Sequence, residues 1–289
     1  MEYINSGYVP IDFIKAKVVG MKPEDFENNP NLGEPKSIYD GELLTKTIYK
    51  YKNLIIKIFQ NGKRIEFSGS LHVFYNDGKH NYNDFTLRQF KASLALLKSC
   101  LGISPENLYL LHLEWGYNLI PPRRTNDILD SLIQHVSVNK TVGIDCKIEG
   151  KYIQFKHSNM ILKVYNKGKQ FKLDTELIRI EIKQTNWSRY RAMGLKTLKD
   201  FILFDKSIFF NELLVQWDKI IMFDLDINKA GEDLKYNGSR YWDELRRSKS
   251  RKGFKYHFDK LKRLNLKNGF DTVNKIKNEL IKKGNELQL

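Results

Sequence analysis

Between Met160 and Lys183 the chain reads MILKVYNKGKQFKLDTELIRIEIK, two runs of strict alternation separated by a polar, lysine-rich turn region. A period of two leaves little structural choice, because successive strand side chains point to opposite faces. In the first run Met160, Leu162 and Val164 fall on one face, with Lys163, Tyr165 and Lys167 on the other. In the second run Ile178, Ile180 and Ile182 oppose Arg179, Glu181 and Lys183. Two neighbouring antiparallel strands of this kind gather a tyrosine, an acid and several cations on one side. Such a face is too charged to be core. It is either solvated surface or a reaction site for something anionic.

The pattern recurs upstream. Residues 11–19 predict a first strand, and MKPEDFENNPNLGEPK a loop. Residues 48–59 and 64–75 predict two strands joined by a tight hairpin at Gln60-Asn61-Gly62-Lys63. In the second of these, Ile65, Phe67, Leu71 and Val73 share one face, and Glu66, Ser68, Ser70 and His72 the other. Phe90, Leu94, Leu97 and Leu101 recur at helical spacing, and Gly102 ends that run. Residues 108–115 form the next predicted strand, with Leu111, Leu113 and Trp115 on one face and Leu110, His112 and Glu114 on the other. After Pro121-Pro122 a helix is predicted over about residues 126–136, then a hairpin turning at Glu149-Gly150. Beyond Leu195 the pattern is mostly helical. Phe254, Phe258 and Leu261 fit one helix, Asn268-Gly269 breaks it, and Asp271 caps a last helix with Val273, Ile276 and Leu280 inward.

Strands with one ionisable face, and helices sufficient to cover only one side, predict an α+β fold. The expected architecture is an antiparallel sheet with helices packed on one face and an open polar face. Glu66, His72, His112, Glu114, Tyr165, Lys167 and Glu181 are expected to converge on that open face. Residues 1–225 are expected to form this catalytic part, and residues 226–289 a basic helical module. Between Arg240 and Lys283 there are fifteen Lys or Arg against five Asp or Glu. An excess of one sign this large suits DNA, with Arg246, Arg247, Arg251 and Lys252 as candidate contacts, although a solvated surface gives the same count.

The whole chain of 289 residues carries a formal charge of +15. Such a charge attracts phosphate and releases counterions, which favours nucleic acid as partner and, less often, an anionic membrane surface. Cys100 and Cys146 form no paired C-x-x-C, so neither a disulfide framework nor a zinc ribbon is expected. The first residues lack a cationic start followed by a long apolar run, and no apolar segment approaches the ~18 residues of a membrane span. A cytoplasmic protein without a membrane partner is the expectation.

Acids grouped with a histidine suit a hard divalent cation such as Mg2+ or Mn2+. Such an ion polarises a phosphodiester, and a tyrosine can attack phosphorus to leave a phosphotyrosine link. Lys163 or Lys167 nearby would favour the phenolate. Each element also has an ordinary structural reading. Tyrosine is common in strands, and Glu181 between Arg179 and Lys183 fits a salt-bridge ladder.

Taken in order, FSGSLHVFYNDGKHN, LYLLHLEWGYN, ILKVYNKGKQ and LIRIEIK resemble the phage and plasmid replication proteins of the gene II/X type. These are relatives of the filamentous-phage gene II rolling-circle nickase. The resemblance spans about residues 48–225 and includes LKTLKDF and FNELLVQWDKI. It implies an origin-specific, metal-dependent nickase and strand-transferase acting through a 5′-phosphotyrosyl intermediate. Tyr165 maps onto the nucleophile and Lys167 onto the lysine two residues later. His112, Glu114 and Glu181 map onto the metal-binding strand positions, with Glu66 as a further acidic position. His72 falls in a Ser-Leu-His variant; with Lys163, Arg179 and Lys183 it is a candidate DNA contact. Two departures from the wider nickase class stand out: Glu114 replaces a second histidine, and the tyrosine sits in a strand pattern. No phosphate-binding helicase loop is present, so unwinding would fall to a host helicase and synthesis to a host polymerase. A non-catalytic DNA-binding replication regulator and a mobilisation relaxase are the alternatives.

Overall fold

The computed structural model describes residues 7–144, 151–224, 232–267, 269 and 271–287. The strands are β1 (Ile11–Val18), β2 (Lys36–Asp40), β3 (Leu43–Tyr51), β4 (Leu54–Phe59), β5 (Arg64–Gly69), β6 (Leu108–Leu119), β7 (Leu132–His135), β8 (Val138–Asn139), β9 (Thr141–Ile144), β10 (Lys151–Lys156), β11 (Met160–Asn166), β12 (Ile178–Gln184) and β13 (Ile220–Met222). The helices are α1 (Pro23–Glu27), α2 (Leu71–Tyr75), α3 (Leu87–Leu101), α4 (Thr125–Ser131), α5 (Lys167–Gln170), α6 (Ser188–Ala192), α7 (Ser207–Trp217), α8 (Ser239–Ser248), α9 (Arg251–Lys267) and α10 (Thr272–Glu286). The chain divides into two compact units. The first takes residues up to Gly116 with Lys183–Phe209, and the second takes Tyr117–Ile182 with Phe210–Glu286. The fold is α+β, as the alternation predicts. Among the described residues no helix is long and apolar enough to cross a membrane.

In the first unit the strand order is β2-β3-β4-β5-β1-β6, and every one of these neighbouring pairs is antiparallel. Ile14, Ala16 and Val18 of β1 and Ile65 and Phe67 of β5 are buried on one side. Phe90, Leu94, Leu97 and Leu101 of α3 are buried with them, at the spacing that makes a helix one-sided. Thr86 and Gln89 form a reciprocal capping box at its start, and Gly102, at φ 68°, ends it in the left-handed conformation that costs glycine least.

Four expectations are corrected in this unit. The predicted strand over residues 64–75 stops at Gly69, where a Cβ would lie 2.7 Å from a methyl of Leu54. Ser70 then caps α2 by accepting from the Val73 amide at 3.1 Å, so Leu71 and His72 leave the strand alternation. A bulge opposite Lys15 and Ala16 shifts β6, so Leu110, not Leu111, faces the core with Ala16. The run over residues 48–59 is two strands, turning at Lys52-Asn53, and α1 lies within the predicted loop.

In the second unit one sheet has the order β12-β11-β10-β9, with β9, β10 and β11 paired antiparallel, and a second has the order β13-β7-β8. Leu162 and Val164 of β11, Ile153 and Phe155 of β10, and Ile180 of β12 are fully buried. The predicted helix over residues 126–136 divides at Leu132, where α4 gives way to β7. Strand pairing with β13 and β8 overrides a helical spacing only three residues deep. β13 likewise interrupts the helical run after Leu195. The hairpin expected at Glu149-Gly150 lies outside the described residues. A separate aromatic core is built from Ile133, Ile221, Phe223, Tyr236, Trp242, Leu245 and Leu261. Trp217 donates to the Val273 carbonyl at 2.9 Å, tying α7 to α10, whose Val273, Ile276 and Leu280 point inward as predicted.

The two-residue turn joining β7 to β8 is Val136-Ser137, and Val136 has φ 57° while Ser137 is not among the positive-φ residues. Glycine is preferred there, because a branched Cβ crowds the backbone in this conformation. Val136→Gly is expected to stabilise the fold by about 1 kcal/mol, raising Tm by about 2 °C in a thermal melt. An unchanged or lowered Tm would show that this turn carries no strain.

Candidate functional site

The second unit contains a buried charged cluster around Glu181. Its carboxylate accepts from Tyr165 Oη at 3.1 Å, Arg179 Nε at 2.8 Å and Lys163 Nζ at 3.2 Å. Arg179 also donates through Nη1 to Asn118 Oδ1 at 2.9 Å, which fixes the guanidinium from β6. Lys167 lies at the start of α5, with its ammonium 5.4 Å from the centre of the Tyr165 ring and 4.9 Å from that of Phe171. Asn166 caps α5 by accepting from the Lys169 amide at 2.9 Å, so the chain turns out of β11 just after the tyrosine.

Burial by itself would raise the Glu181 pKa. The positive charges of Lys163 and Arg179, the Arg179 hydrogen bond and the charge of Lys167 outweigh it and hold the carboxyl below the usual range. Tyr165 is 7% exposed, Glu181 and Arg179 3%, and Lys167 1%. The alternation therefore brings Tyr165, Lys163, Lys167, Arg179 and Glu181 together as predicted, but buries four of the five where an open face was expected.

The first unit places a second polar set across β5, β1 and β6. Lys15 is opposite His112 in register, and Phe13 opposite Glu114. Glu66 pairs with Lys15 at 2.9 Å and Arg64 at 3.4 Å, and Glu114 pairs with Lys183 at 2.9 Å. The His112 ring lies over Phe13, centroids 6.2 Å apart. Partial burial, then the charges of Lys183 and Lys15, lower the His112 pKa to about 4 against the opposing pull of Glu66. The imidazole is thus neutral at physiological pH and can offer a ring nitrogen as acceptor or ligand.

His72 lies elsewhere in this unit. It is 5% exposed, stacks on Phe85 at 4.6 Å and bonds Asn83 through Nε2 at 2.9 Å. Its place on α2 explains why it leaves the strand face.

Donor chemistry alone would suit Mg2+ or Mn2+. Among the described residues no three His, Cys, Asp or Glu side chains group to hold a metal. Glu66, Glu114 and Glu181 are each engaged by a lysine or arginine, whose charge does the neutralising an ion would do.

Of the C-terminal candidates, Arg247, Arg251 and Lys252 are exposed. Arg246 is half-buried: it donates to Gln134 Oε1 at 2.6 Å and lies 4.5 Å from the centre of the Phe254 ring. Sequence reasoning did not single out Lys15, Phe13 and Asn118. Alternation along IDFIKAKVV puts Phe13 and Lys15 on one face, and Asn118 follows Glu114 by four residues in one strand, so both signals were present.

No family model matches this chain, and no curated protein matches it. Among solved structures it is similar to a rolling circle replication initiator protein from Geobacillus stearothermophilus, over 87% of this chain and 95% of that one. The identity is 11% and the TM-score 0.42. A likeness of that size leaves the functional argument to the residues of this chain.

Two outcomes test the site's electrostatics. Glu181→Gln leaves the Arg179 guanidinium buried beside an uncharged partner, and urea unfolding is expected to report a loss of about 3 kcal/mol. His112 has a folded pKa below its unfolded value, so the unfolded chain takes up the proton first on acidification. Its contribution to stability is therefore complete above about pH 6.5 and lost as pH falls towards 4. Imidazole nitrogen shifts followed by NMR should place the native midpoint near 4, and a midpoint near 6.5 would contradict the environment described.

Proposed function

We propose that this chain is a rolling-circle replication initiator that nicks and rejoins DNA through Tyr165. The observation that carries the reading is the phenol of Tyr165 held on Glu181 amid Lys163, Arg179 and Lys167. Three cations against one carboxylate leave an excess of positive charge there, which favours a phosphate beside the phenol. In the proposed step Tyr165 Oη gives up its proton to water as it attacks phosphorus, the bond to the 3′-oxygen breaks, and that oxygen takes a proton from water. The enzyme keeps the 5′-phosphate as a tyrosyl ester, which conserves the bond for rejoining. The freed 3′-OH would prime a host polymerase, with unwinding left to a host helicase. The motif resemblance and the net charge of +15 also support this reading.

The burial of Tyr165 sets a condition on it. Its Oη must leave Glu181 and reach the phosphodiester, so substrate must displace what covers the ring. A requirement for Mg2+ or Mn2+, with His112, Glu114, Glu66 and Glu181 as ligands, is part of the proposal through the resemblance, and no step here depends on it. The same burial favours a second reading, a non-catalytic DNA-binding replication regulator in which the Glu181 cluster is architectural. A mobilisation relaxase would use the same chemistry at a different origin.

One experiment separates the nickase from the regulator. The protein is incubated with supercoiled DNA of the replicon that carries its gene, with Mg2+, Mn2+ or EDTA, and a covalent protein–DNA adduct is sought on a denaturing gel. Wild type is expected to give the adduct and nicked circles, and Tyr165→Phe neither, while still retarding DNA in a gel shift. Nicking by Tyr165→Phe would remove Tyr165 from the mechanism. Binding without nicking by wild type in either metal would establish the regulator.

A further inference from the structure

We infer that the second unit holds a pocket for one unstacked base of single-stranded nucleic acid, between the β7–β8 turn, β13 and α9. The inference rests on the nucleic-acid reading above and gives it a defined contact. The cavity measures about 380 Å3 and is lined by Val136, Asp218, Lys219, Ile221, Phe254 and Phe258. That lies within the ~300–1,000 Å3 usual for small-ligand pockets. Its walls are apolar: Ile221 is 1% exposed, and the Phe254 and Phe258 rings are inclined by only 20°, centroids 6.4 Å apart. Val136 at the mouth is 42% exposed and kept in the left-handed conformation, where glycine would be easier. A branched apolar residue in that conformation carries backbone strain while its side chain lines the cavity.

Charge selects the occupant. Lys219 is exposed at the rim, and the Lys262 ammonium lies 4.4 Å from the centre of the Phe258 ring. The rim carboxylate, Asp218, is already paired with Lys277 at 2.7 Å. An apolar peptide side chain would gain nothing from these cations. A nucleobase offers a flat face to the phenylalanines while its flanking phosphates meet Lys219 and Lys262. A base stacked in a duplex cannot enter, so the ligand is single-stranded.

The test uses the full chain and a short oligothymidylate carrying one 2-aminopurine, compared with the same oligonucleotide abasic at that position. Binding is expected to change the 2-aminopurine emission, and the abasic twin to bind about tenfold more weakly. Phe258→Ala should abolish the difference between the two. Should that variant fail to fold, Lys219→Gln serves instead. Lys219 is exposed, and its loss should lower affinity for both oligonucleotides and reduce the salt slope by about one. Equal binding of intact and abasic oligonucleotides would overturn the pocket, in favour of a protein side chain as occupant, and leave electrostatic DNA binding intact. Binding of neither would overturn the pocket and the nucleic-acid reading together.

Discussion

The second unit is organised by a carboxylate that cannot be left alone. Glu181 is 3% exposed, and an ionised carboxylate at that depth is tolerated only with charge and hydrogen bonds supplied around it. Arg179 supplies both from two residues away on the same strand, and Lys163 and Tyr165 supply hydrogen bonds from β11. Each partner then needs its own support. Asn118 fixes the outer edge of the Arg179 guanidinium, and the rings of Tyr165 and Phe171 line the Lys167 ammonium. A slip of one residue in β11 would exchange Lys163 and Tyr165 for Leu162 and Val164, placing two apolar side chains against a buried charge. The cluster thus specifies register as strongly as the opposite apolar face does.

The first unit solves a similar problem differently. Its carboxylates, Glu66 and Glu114, meet lysines that retain about a third of their side-chain exposure, Lys15 at 34% and Lys183 at 28%. Pairs of this kind exchange partners more readily than the Glu181 cluster, because one member of each remains solvated. The bulge in β6 decides which residues take part. It turns Leu110 to the core with Ala16 while keeping His112 opposite Lys15.

Much of this was legible in sequence wherever a period ran long enough. The alternation of β11 and β12 gave the faces of Tyr165, Lys163, Arg179 and Glu181, and the spacing from Phe90 to Leu101 gave α3 to its terminal glycine. Errors arose where a long-range contact overruled a short period. Nothing in the alternation over residues 64–75 reports that Ser70 turns to cap α2, so Leu71 and His72 read as strand. Similarly, Ile128, Leu132 and Ile133 fit a helix until β13 offers residues 132–135 a strand partner. Depth was the other hidden quantity. A charged strand face reads as solvated, because periodicity records which residues share a side and not what covers that side.

That depth changes the chemistry to be expected of an arriving phosphate. Lys163 and Arg179 are held by Glu181, Lys183 by Glu114, and Lys15 by Glu66. A phosphodiester therefore does not meet bare cations; it competes with carboxylates already in place, and gains only the difference between the two anions. Lys15 and Lys183 keep 34% and 28% of their side-chain exposure, so their ammonium groups can meet a new partner from solvent, while Glu66 keeps a second cation in Arg64. At Arg179 exchange costs more, because the displaced Glu181 carboxylate has no route to water without movement of β11 or β12. Contact at Lys15 and Lys183 draws on side chains that already reach solvent, whereas use of Tyr165 requires Glu181 to be released or to remain bridged while the phenol turns away. Any chemistry at the tyrosine is on this account coupled to rearrangement of the charged cluster.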